Sequence, residues 1–280
     1  MTGCDRRDGP GRYPCPVAFD DELAFAHELA DTAAHIGLGY FRGGGVEVTL
    51  KPDRTLLTQA DTAIERTLRE RLAHAFGGDR IIGEEEGGDH DPTGRVWIVD
   101  PIDATANFAR GIQVWATLIA FRVDGVGEVG IVSAPALGER YAAVRGEGAT
   151  LNGAAIAVSD VASIGEAHVL FQELEKLLGG EHRDAAMGLI ADCWRPRGFG
   201  DFWAHMLVAR GSAEVMVEPS LAIWDLAAPQ VVIEAAGGRC TTFDGGPLRH
   251  GGTMLATNGL LHDELLSRLA PGGPAQGRGP

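Results

Sequence analysis

Two aspartates follow an apolar run in the segment 96–108. The run 96–99 predicts a buried strand that ends at Asp100, and Asp103 follows after Pro101 and Ile102. Two carboxylates at the mouth of a buried strand are costly unless a positive charge lies between them. Mg²⁺ meets that need, because it takes oxygen ligands from a few carboxylates and from substrate phosphate. The pair therefore indicates metal-assisted chemistry on a phosphate group.

The residues after Asp103 are small or hydroxylated and predict the start of a helix at Ala104, Thr105 and Ala106. Free N–H groups in a first helical turn, together with the helix dipole, bind anions. The Thr105 hydroxyl is placed to hydrogen-bond an attacking water. Asp103, Ala104 and Thr105 are therefore the predicted phosphate site, beside carboxylates that can hold a metal.

Three further acidic residues, Asp61, Glu84 and Asp225, each lie at the end of a predicted apolar element. Taken singly, each also suits an ordinary role, such as a helix N-cap or a solvated loop charge. Because all of them stand at element ends, they can project into one cavity with the aspartate pair. The residue types and positions predict a shared acidic site.

The elements that must position these residues differ between the two halves of the chain. Helices at 20–41 and from about Asp61, short strands at 46–50 and 81–82, and an antiparallel run at 115–123, 130–133 and 140–145 give the first half an α+β pattern. Asn152-Gly153 is a hairpin signal. In the second half, strands alternate with helices predicted at 201–210, 226–236 and 260–269. The segment 171–190 gives no clear element. The predicted units are 17–155 and 156–270, with disordered tails at 1–16 and 271–280.

Composition restricts the possible partners. A formal net charge of −15 excludes a nucleic acid polymer as the expected partner, since phosphate backbones need basic surface. It leaves a small phosphorylated metabolite open, because bound Mg²⁺ reverses the local field. Four cysteines without paired spacing fit a reducing cytoplasm. No apolar run is long enough to predict a membrane span.

Three motifs in this order resemble those of the inositol monophosphatase family of Mg²⁺-dependent phosphomonoesterases, over roughly residues 20–268. They are Gly83-Glu84-Glu85, the run 100–107, and Trp224-Asp225 followed by 234–238. The resemblance implies an α/β (α+β) fold, the layered αβαβα sandwich of this family. It also implies a homodimer, sensitivity to Li⁺, and two or three Mg²⁺ ions in each active site.

The resemblance also assigns roles to residues. It implies metal binding by Glu84, Asp100, the Ile102 carbonyl, Asp103 and Asp225. Glu84, Thr105 and Asp61 would act on the nucleophilic water. Lys51 would lie near the metal and the phosphate of the substrate. Hydrolysis would proceed by a metal-activated water, without a covalent phosphoenzyme.

Within the family, four stretches look most like the actinobacterial histidinol-phosphate phosphatases: 114–120, 133–138, 199–203 and 256–264. The expected substrate is then L-histidinol phosphate, which carries an ammonium group and an imidazole beside its phosphate. Asp201 and Glu218, acidic residues at element ends, are the predicted substrate-binding pair. Each also suits an ordinary role as a helix cap or a surface charge.

Two departures from the family pattern bear on the substrate. Ala104 stands where the family usually has glycine, which matters if this position needs a positive φ. Pro229 is tolerable in its predicted helix only if that helix begins near Leu226. The same chemistry on inositol monophosphate, a sugar phosphate or a nucleoside monophosphate remains an alternative. A non-catalytic binding protein on the same fold is the alternative of another class.

Overall fold

The structure is a computed structural model that describes residues 19–43, 47–51, 56–91 and 93–269. The predicted tails 1–16 and 271–280 lie outside these described residues. The predicted division of the chain after residue 155 stays a prediction.

Two long helices form the first layer. Helices α1 (Asp20–Gly43) and α2 (Gln59–Ala75) pack on each other and on one face of a seven-stranded sheet. Apolar residues of both helices recur at helical spacing and are fully buried, among them Leu29, Ile64 and Leu68. Between the helices, strands β1 (Val48–Leu50) and β2 (Leu56–Thr58) pair antiparallel.

The seven-stranded sheet is the second layer and carries the aspartate pair. Its strands run in sequence order, β3 pairs parallel with β4, and all later pairs are antiparallel. The strands are β3 (Arg80–Gly83), β4 (Arg95–Asp103), β5 (Ala116–Val123), β6 (Val126–Ala134), β7 (Glu139–Val144), β8 (Gly148–Leu151) and β9 (Ala154–Ile156). A short helix, α3 (Thr105–Ala109), follows β4. Asn152 and Gly153 have positive φ and connect β8 to β9, as the hairpin signal predicts.

The remaining layers complete the sandwich. Helices α6 (Asp201–Ala209) and α7 (Ile223–Ala235) lie between the two sheets and contact strands of both. The five-stranded sheet has the order β11-β10-β12-β14-β13. Outside it pack α4 (Leu174–Gly179), α5 (Arg183–Asp192) and α8 (His262–Leu269). Its strands are β10 (His168–Phe171), β11 (Arg195–Arg197), β12 (Val215–Leu221), β13 (Arg239–Thr241) and β14 (Gly252–Thr257).

This order of layers is helix, sheet, helix, sheet, helix, so the predicted αβαβα sandwich is confirmed. Three groups of buried apolar side chains fill the spaces between the layers. One lies between α1, α2 and the seven-stranded sheet, one between the two sheets, and one beneath the outer helices of the second half.

Several sequence predictions about elements need correction. The segment 171–190 is not irregular but contains α4 and most of α5, whose short amphipathic turns leave little periodic signal. Helix α7 begins at Ile223, not near Leu226, so Pro229 lies in its second turn. The missing N–H of Pro229 leaves the Asp225 carbonyl without its i→i−4 helical donor. Helix α2 begins at Gln59, ahead of Asp61.

Candidate active site

A bulge in strand β4 brings the first two aspartates together. Asp100 pairs with Leu118 and Asp103 with Ala116, so three steps along β4 match two steps along β5. In a regular strand, residues three apart point to opposite faces of the sheet. The extra residue cancels that alternation and turns both carboxylates toward the same side. The predicted end of the strand at Asp100 is therefore wrong. The strand continues through Pro101 and Ile102 to Asp103.

Asp225 completes a group of three carboxylates, which we call the acidic cluster: Asp100, Asp103 and Asp225. One oxygen from each lies within 4.8 Å of the others. Asp225 is the third residue of α7, where its Oδ2 accepts a hydrogen bond from the Ala222 N–H at 3.1 Å. The N-terminus of α7 therefore delivers the third carboxylate from between the two sheets.

Burial and mutual repulsion raise the pKa values of the acidic cluster. Asp100 is 1% exposed and its Oδ1 has no hydrogen-bond partner among the described residues. Burial, followed by the charges of Glu84 and Asp103, raises the pKa of Asp100 well above its usual range. Burial also raises the pKa of Asp103 well above the usual range, and burial with the Glu84 charge raises that of Asp225 to about 7. Such a site is chemically suited to a hard divalent cation.

Glu84 lies in the turn after β3, beside the acidic cluster but outside its tight group. The turn is held from below by Glu65 of α2, which accepts hydrogen bonds from the N–H groups of Glu85 at 2.7 Å and Glu86 at 3.0 Å. Arg69 donates to the same carboxylate at 2.9 Å. A side chain at Gly83 would collide with Glu65, so glycine is required there by a close approach.

Lys51 is held by this acidic turn. Its Nζ lies 2.9 Å from Glu84 Oε1 and 2.7 Å from Glu85 Oε2. Burial lowers the pKa of Lys51, but the hydrogen bonds and charges of both glutamates outweigh burial and raise it. Lys51 therefore stays protonated and brings a positive charge to the edge of the site.

Asp61 and Thr105 face each other across the site. The Asp61 Oδ2 accepts from the Thr58 N–H at 2.8 Å and from the Thr58 hydroxyl at 2.5 Å, which closes a capping box at the start of α2. Thr58 is thus the N-cap of α2. The Thr105 hydroxyl lies 3.4 Å from Asp61 Oδ1 and donates to the Ile102 carbonyl at 2.9 Å. Burial raises the pKa of Asp61 to about 6 despite these bonds from Thr58.

Ala104 adopts a backbone conformation that favours glycine. It is the N-cap of α3 with φ of 68°, and no side chain caps that helix end. A non-glycine residue in this region carries strain. Position 104 therefore has the positive φ for which the family's usual glycine is suited, and alanine adopts it here. Helix α3 begins at Thr105, one residue after the predicted start.

A small cavity of about 100 Å³ adjoins the acidic cluster. Asp201, the first residue of α6, lines it together with Asp103 and Asp225. Glu218 on β12 lies close by. It is 1% exposed, and neither carboxylate oxygen has a hydrogen-bond partner in the described part of the chain. Burial, followed by the charges of Glu173 and Asp201, raises the pKa of Glu218 well above its usual range.

Sequence reasoning missed three residues that shape this site: Glu65, Gln172 and His205. The partners of Glu65 are backbone groups distant in the sequence, which no local pattern reveals. Gln172 contacts Asp201 and lines the cavity. His205 lines it as well, one turn after Asp201 on α6; burial lowers its pKa to about 4, so it is neutral. The i, i+4 spacing of Asp201 and His205 was the only local signal for the histidine.

Comparison with known proteins places the chain among relatives over most of its length. The sequence model of the inositol monophosphatase family matches residues 20–271. The chain is 46% identical over 257 residues to a histidinol-phosphatase of Mycobacterium tuberculosis, covering 90% of this chain and 99% of the relative. It is 41% identical over 259 residues to a histidinol-phosphatase of Streptomyces coelicolor, covering 89% and 97% respectively.

Solved structures have the same architecture. The IMPase of Thermotoga maritima matches with a TM-score of 0.80 and 28% identity, covering 89% of this chain and 96% of that one. An inositol monophosphatase from Zymomonas mobilis matches with a TM-score of 0.78 and 28% identity, covering 90% and 98%. On sequence and fold together, this chain belongs to the inositol monophosphatase family.

Proposed function

We propose that this protein is a Mg²⁺-dependent phosphomonoesterase that hydrolyses L-histidinol phosphate to L-histidinol and inorganic phosphate. The observation that carries the hydrolase assignment is the acidic cluster, in which the buried carboxylates of Asp100 and Asp103 and the half-buried one of Asp225 converge within 4.8 Å. The relatives at 46% and 41% identity, which are histidinol-phosphatases, support the substrate.

The residues present fit Mg²⁺. Among the residues described, Asp100 has a buried oxygen without a partner, and no lysine or arginine forms an ion pair with any of the three carboxylates. Such carboxylates are stable in ionised form only with a bound cation. Two or three Mg²⁺ ions would be held by Glu84, Asp100, the Ile102 carbonyl, Asp103 and Asp225. When bound, Mg²⁺ supplies the positive charge that acidifies a water and balances charge on the phosphate.

The protein's own groups orient the phosphate and move the proton. The N–H groups of Ala104 and Thr105, which lie at the start of α3, would donate to phosphate oxygens. The attacking water would donate to the Thr105 hydroxyl, which in turn faces Asp61 at 3.4 Å. With its pKa raised to about 6, Asp61 is a suitable proton acceptor near neutral pH. Glu84 would guide the proton of the same water, and Lys51 would add positive charge near the phosphate.

Asp201 and Glu218 would recognise the other end of the substrate. Both carboxylates lack a lysine or arginine partner among the described residues. The ammonium group of histidinol phosphate would provide that missing charge, and its imidazole would lie beside it. A neutral alcohol leaving group would leave these carboxylates uncompensated, which disfavours it.

The test is phosphate release from a panel of esters by purified protein. We expect Mg²⁺-dependent turnover of L-histidinol phosphate well above that of inositol 1-phosphate, a sugar phosphate and a nucleoside monophosphate, and no turnover with EDTA. Faster hydrolysis of another ester would show the same chemistry on a different substrate. Absence of Mg²⁺-dependent hydrolysis across the panel would favour the non-catalytic alternative.

The family resemblance supports two further parts of the proposal, a homodimer and inhibition by Li⁺, and the four cysteines without paired spacing support a cytoplasmic location. Across the described segments, no helix combines the length and the hydropathy that crossing a bilayer requires. Light scattering after gel filtration measures the oligomeric state, and a Li⁺ titration of the phosphatase assay measures inhibition. A monomer, or activity unchanged by Li⁺, would contradict the corresponding part.

A further inference from the structure

Asp201 lies in the left-handed backbone region. It is the first residue of α6, and its φ is 55°. This region is uncommon for residues other than glycine, although aspartate enters it more readily than most, so the contacts of this residue matter. The Asp201 carboxylate lines the cavity beside the acidic cluster, and contacts on two sides hold this residue in place.

Gln172 holds Asp201 through both ends of its side-chain amide. Its Oε1 accepts a hydrogen bond from the Asp201 N–H, and its Nε2 donates to Asp201 Oδ1 at 3.2 Å. The approach is close enough that a side chain at Gly200 would collide with the Gln172 amide. Gln172 follows β10, and Glu173 after it also has a positive φ of 46°. The turn after β10 is thus shaped to present this amide.

The other side of the same helix start is fixed by the acidic cluster. The Phe202 N–H donates to Asp103 Oδ2 at 2.7 Å. The first turn of α6 is therefore attached to Gln172 on one side and to Asp103 on the other. These two attachments keep the Asp201 carboxylate at a fixed position relative to the predicted phosphate site.

The chemical type of Gln172 matters as much as its position. A lysine or arginine could hold Asp201 equally well but would cancel its charge. A neutral amide fixes the carboxylate and leaves its charge for a ligand. Glu218, buried nearby with both oxygens unpartnered in the described residues, adds a second uncompensated carboxylate. The pair is suited to a cationic group on the ligand.

We infer that Gln172 is a positioning residue that sets specificity for phosphate esters bearing an ammonium group, by holding the Asp201 carboxylate toward the substrate cavity. The inference rests on the proposed function, since it concerns the same site. It predicts that Gln172 affects the binding of the cationic part of the substrate and leaves the chemistry at phosphorus unchanged.

The test compares Gln172→Met with Gln230→Met. Both remove an amide of the same size, but Gln230 is a half-buried residue of α7, away from the cavity, whose amide donates to the exposed Glu234. KM and kcat are measured with Mg²⁺ for L-histidinol phosphate and for glycerol 2-phosphate, which has no cation. We expect Gln172→Met to raise KM for histidinol phosphate about tenfold, the loss expected for one hydrogen bond to a charged group. Its kcat, and both constants for glycerol 2-phosphate, should match those of Gln230→Met.

Two further measurements keep the result interpretable. In an Asp201→Gly background, Gln172→Met should no longer change the ratio of kcat/KM values for the two esters, because its target is gone. Gln172→Asn, whose amide is one methylene too short to span both contacts, replaces Gln172→Met if that variant does not fold. Equal losses for both esters, or an unchanged ratio, overturn the inference.

Failure of the proposed function gives a different pattern. Wild-type protein would then hydrolyse neither ester in a Mg²⁺-dependent way. In that case calorimetric titration with L-histidinol, which carries the cation without the phosphate, decides the inference by itself. Weaker binding to Gln172→Met than to wild type supports it, and equal binding or no binding to wild type overturns it.

Discussion

At the scale of single residues, the bulge at Pro101 and Ile102 is the feature on which the site depends. It turns Asp100 and Asp103 to one side of β4, where the carboxylate of Asp225 meets them. Asp103 has two roles, because its Oδ2 also accepts a hydrogen bond from the Phe202 N–H at 2.7 Å. It therefore joins the proposed metal site to the start of α6.

Asp103→Asn tests the metal assignment. The amide oxygen can still accept from Phe202, so we expect the fold to persist, but one negative charge is lost from the cluster. Turnover should fall by at least about 10³-fold, the scale of several kcal/mol of charge stabilisation. Phosphate release at saturating Mg²⁺ measures this, with circular dichroism as the check on folding. Asp263→Asn, an exposed substitution on α8, is the control. Near-normal turnover would remove Asp103 from the metal site.

Ala104→Gly tests the backbone strain at the phosphate site. Glycine populates the φ of 68° found there without a Cβ penalty. We expect the free energy of unfolding to rise by about 1 kcal/mol, with turnover retained. Urea unfolding measures the change. Ala106→Gly, inside α3, is the matched control and should destabilise by a similar amount. A loss of stability in Ala104→Gly would show that the strain argument is wrong.

The residues that sequence could and could not predict differ in a physical way. Asp100, Asp103 and Asp225 adjoin apolar runs in the sequence, and the cost of buried charge makes such positions conspicuous. Gln172 and Glu65 act through hydrogen bonds to residues far away in the chain. No periodicity or spacing encodes such contacts, so only the folded chain reveals them.

At the scale of elements, helix α2 supports the turn that carries Glu84. Its Glu65 is fully buried, and two backbone N–H groups of that turn and Arg69 converge on it. The loop is thus attached to the helix by one carboxylate. The orientation of Glu84 toward the acidic cluster depends on that attachment.

Glu65→Ala should release this turn. Removing the carboxylate leaves two backbone N–H groups and the Arg69 Nε–H without their acceptor, while Arg69 keeps its bonds to the Ile81 and Gly87 carbonyls. We expect a loss of about 3 kcal/mol in unfolding free energy. The Mg²⁺ concentration needed for half-maximal activity should rise as well, since the turn that carries Glu84 is no longer attached to α2. Urea unfolding and a Mg²⁺ titration measure the two effects. Glu70→Ala, on the exposed side of the same helix, is the control. Equal behaviour of the two variants would refute the role of Glu65.

The elements themselves were predictable to different degrees. Helix α1 and the hairpin at Asn152-Gly153 follow from periodicity and turn chemistry, and both are present. The start of α7 was placed too late, because a proline is expected in a first turn, whereas Pro229 lies in the second turn of a helix buried between two sheets. Tertiary packing outweighs the local preference there.

At the scale of the whole molecule, the acidic cluster opposes folding when no cation is bound. Burial raises the pKa of Asp225 from its ordinary value of 3.8 to about 7 and raises those of Asp100 and Asp103 too. The folded chain therefore binds more protons than the unfolded chain between roughly pH 4 and pH 7. Its stability falls as the pH rises through that window.

Mg²⁺ should accordingly stabilise the protein more at pH 8 than at pH 5, because it binds the ionised carboxylates and competes with protons at lower pH. We expect saturating Mg²⁺ to raise Tm by several degrees at pH 8 and by much less at pH 5. Thermal unfolding with Mg²⁺ or EDTA at both pH values measures this. Buried histidines such as His205 change the Tm with pH equally in the presence of Mg²⁺ and of EDTA, so their effect cancels in the difference between the two. Equal Tm shifts at the two pH values would contradict the prediction.

The layered order of the whole molecule was predictable by resemblance, whereas the pairing within its sheets was not. The parallel pair β3–β4 and the crossed order β11-β10-β12-β14-β13 depend on long-range packing. What matters for the site is that α7 lies between the sheets and contacts both. The last carboxylate of the acidic cluster is thereby contributed from the interior of the sandwich.

That placement has a consequence for how the protein is made. During synthesis, Glu84, Asp100 and Asp103 leave the ribosome long before Asp225. The early carboxylates cannot complete the proposed cation site until α7 has been translated and has docked between the two sheets. A nascent chain arrested before residue 225 would then lack a complete cage for Mg²⁺. Tight capture of the ion would report that translation has passed this point and that the two sheets have come together.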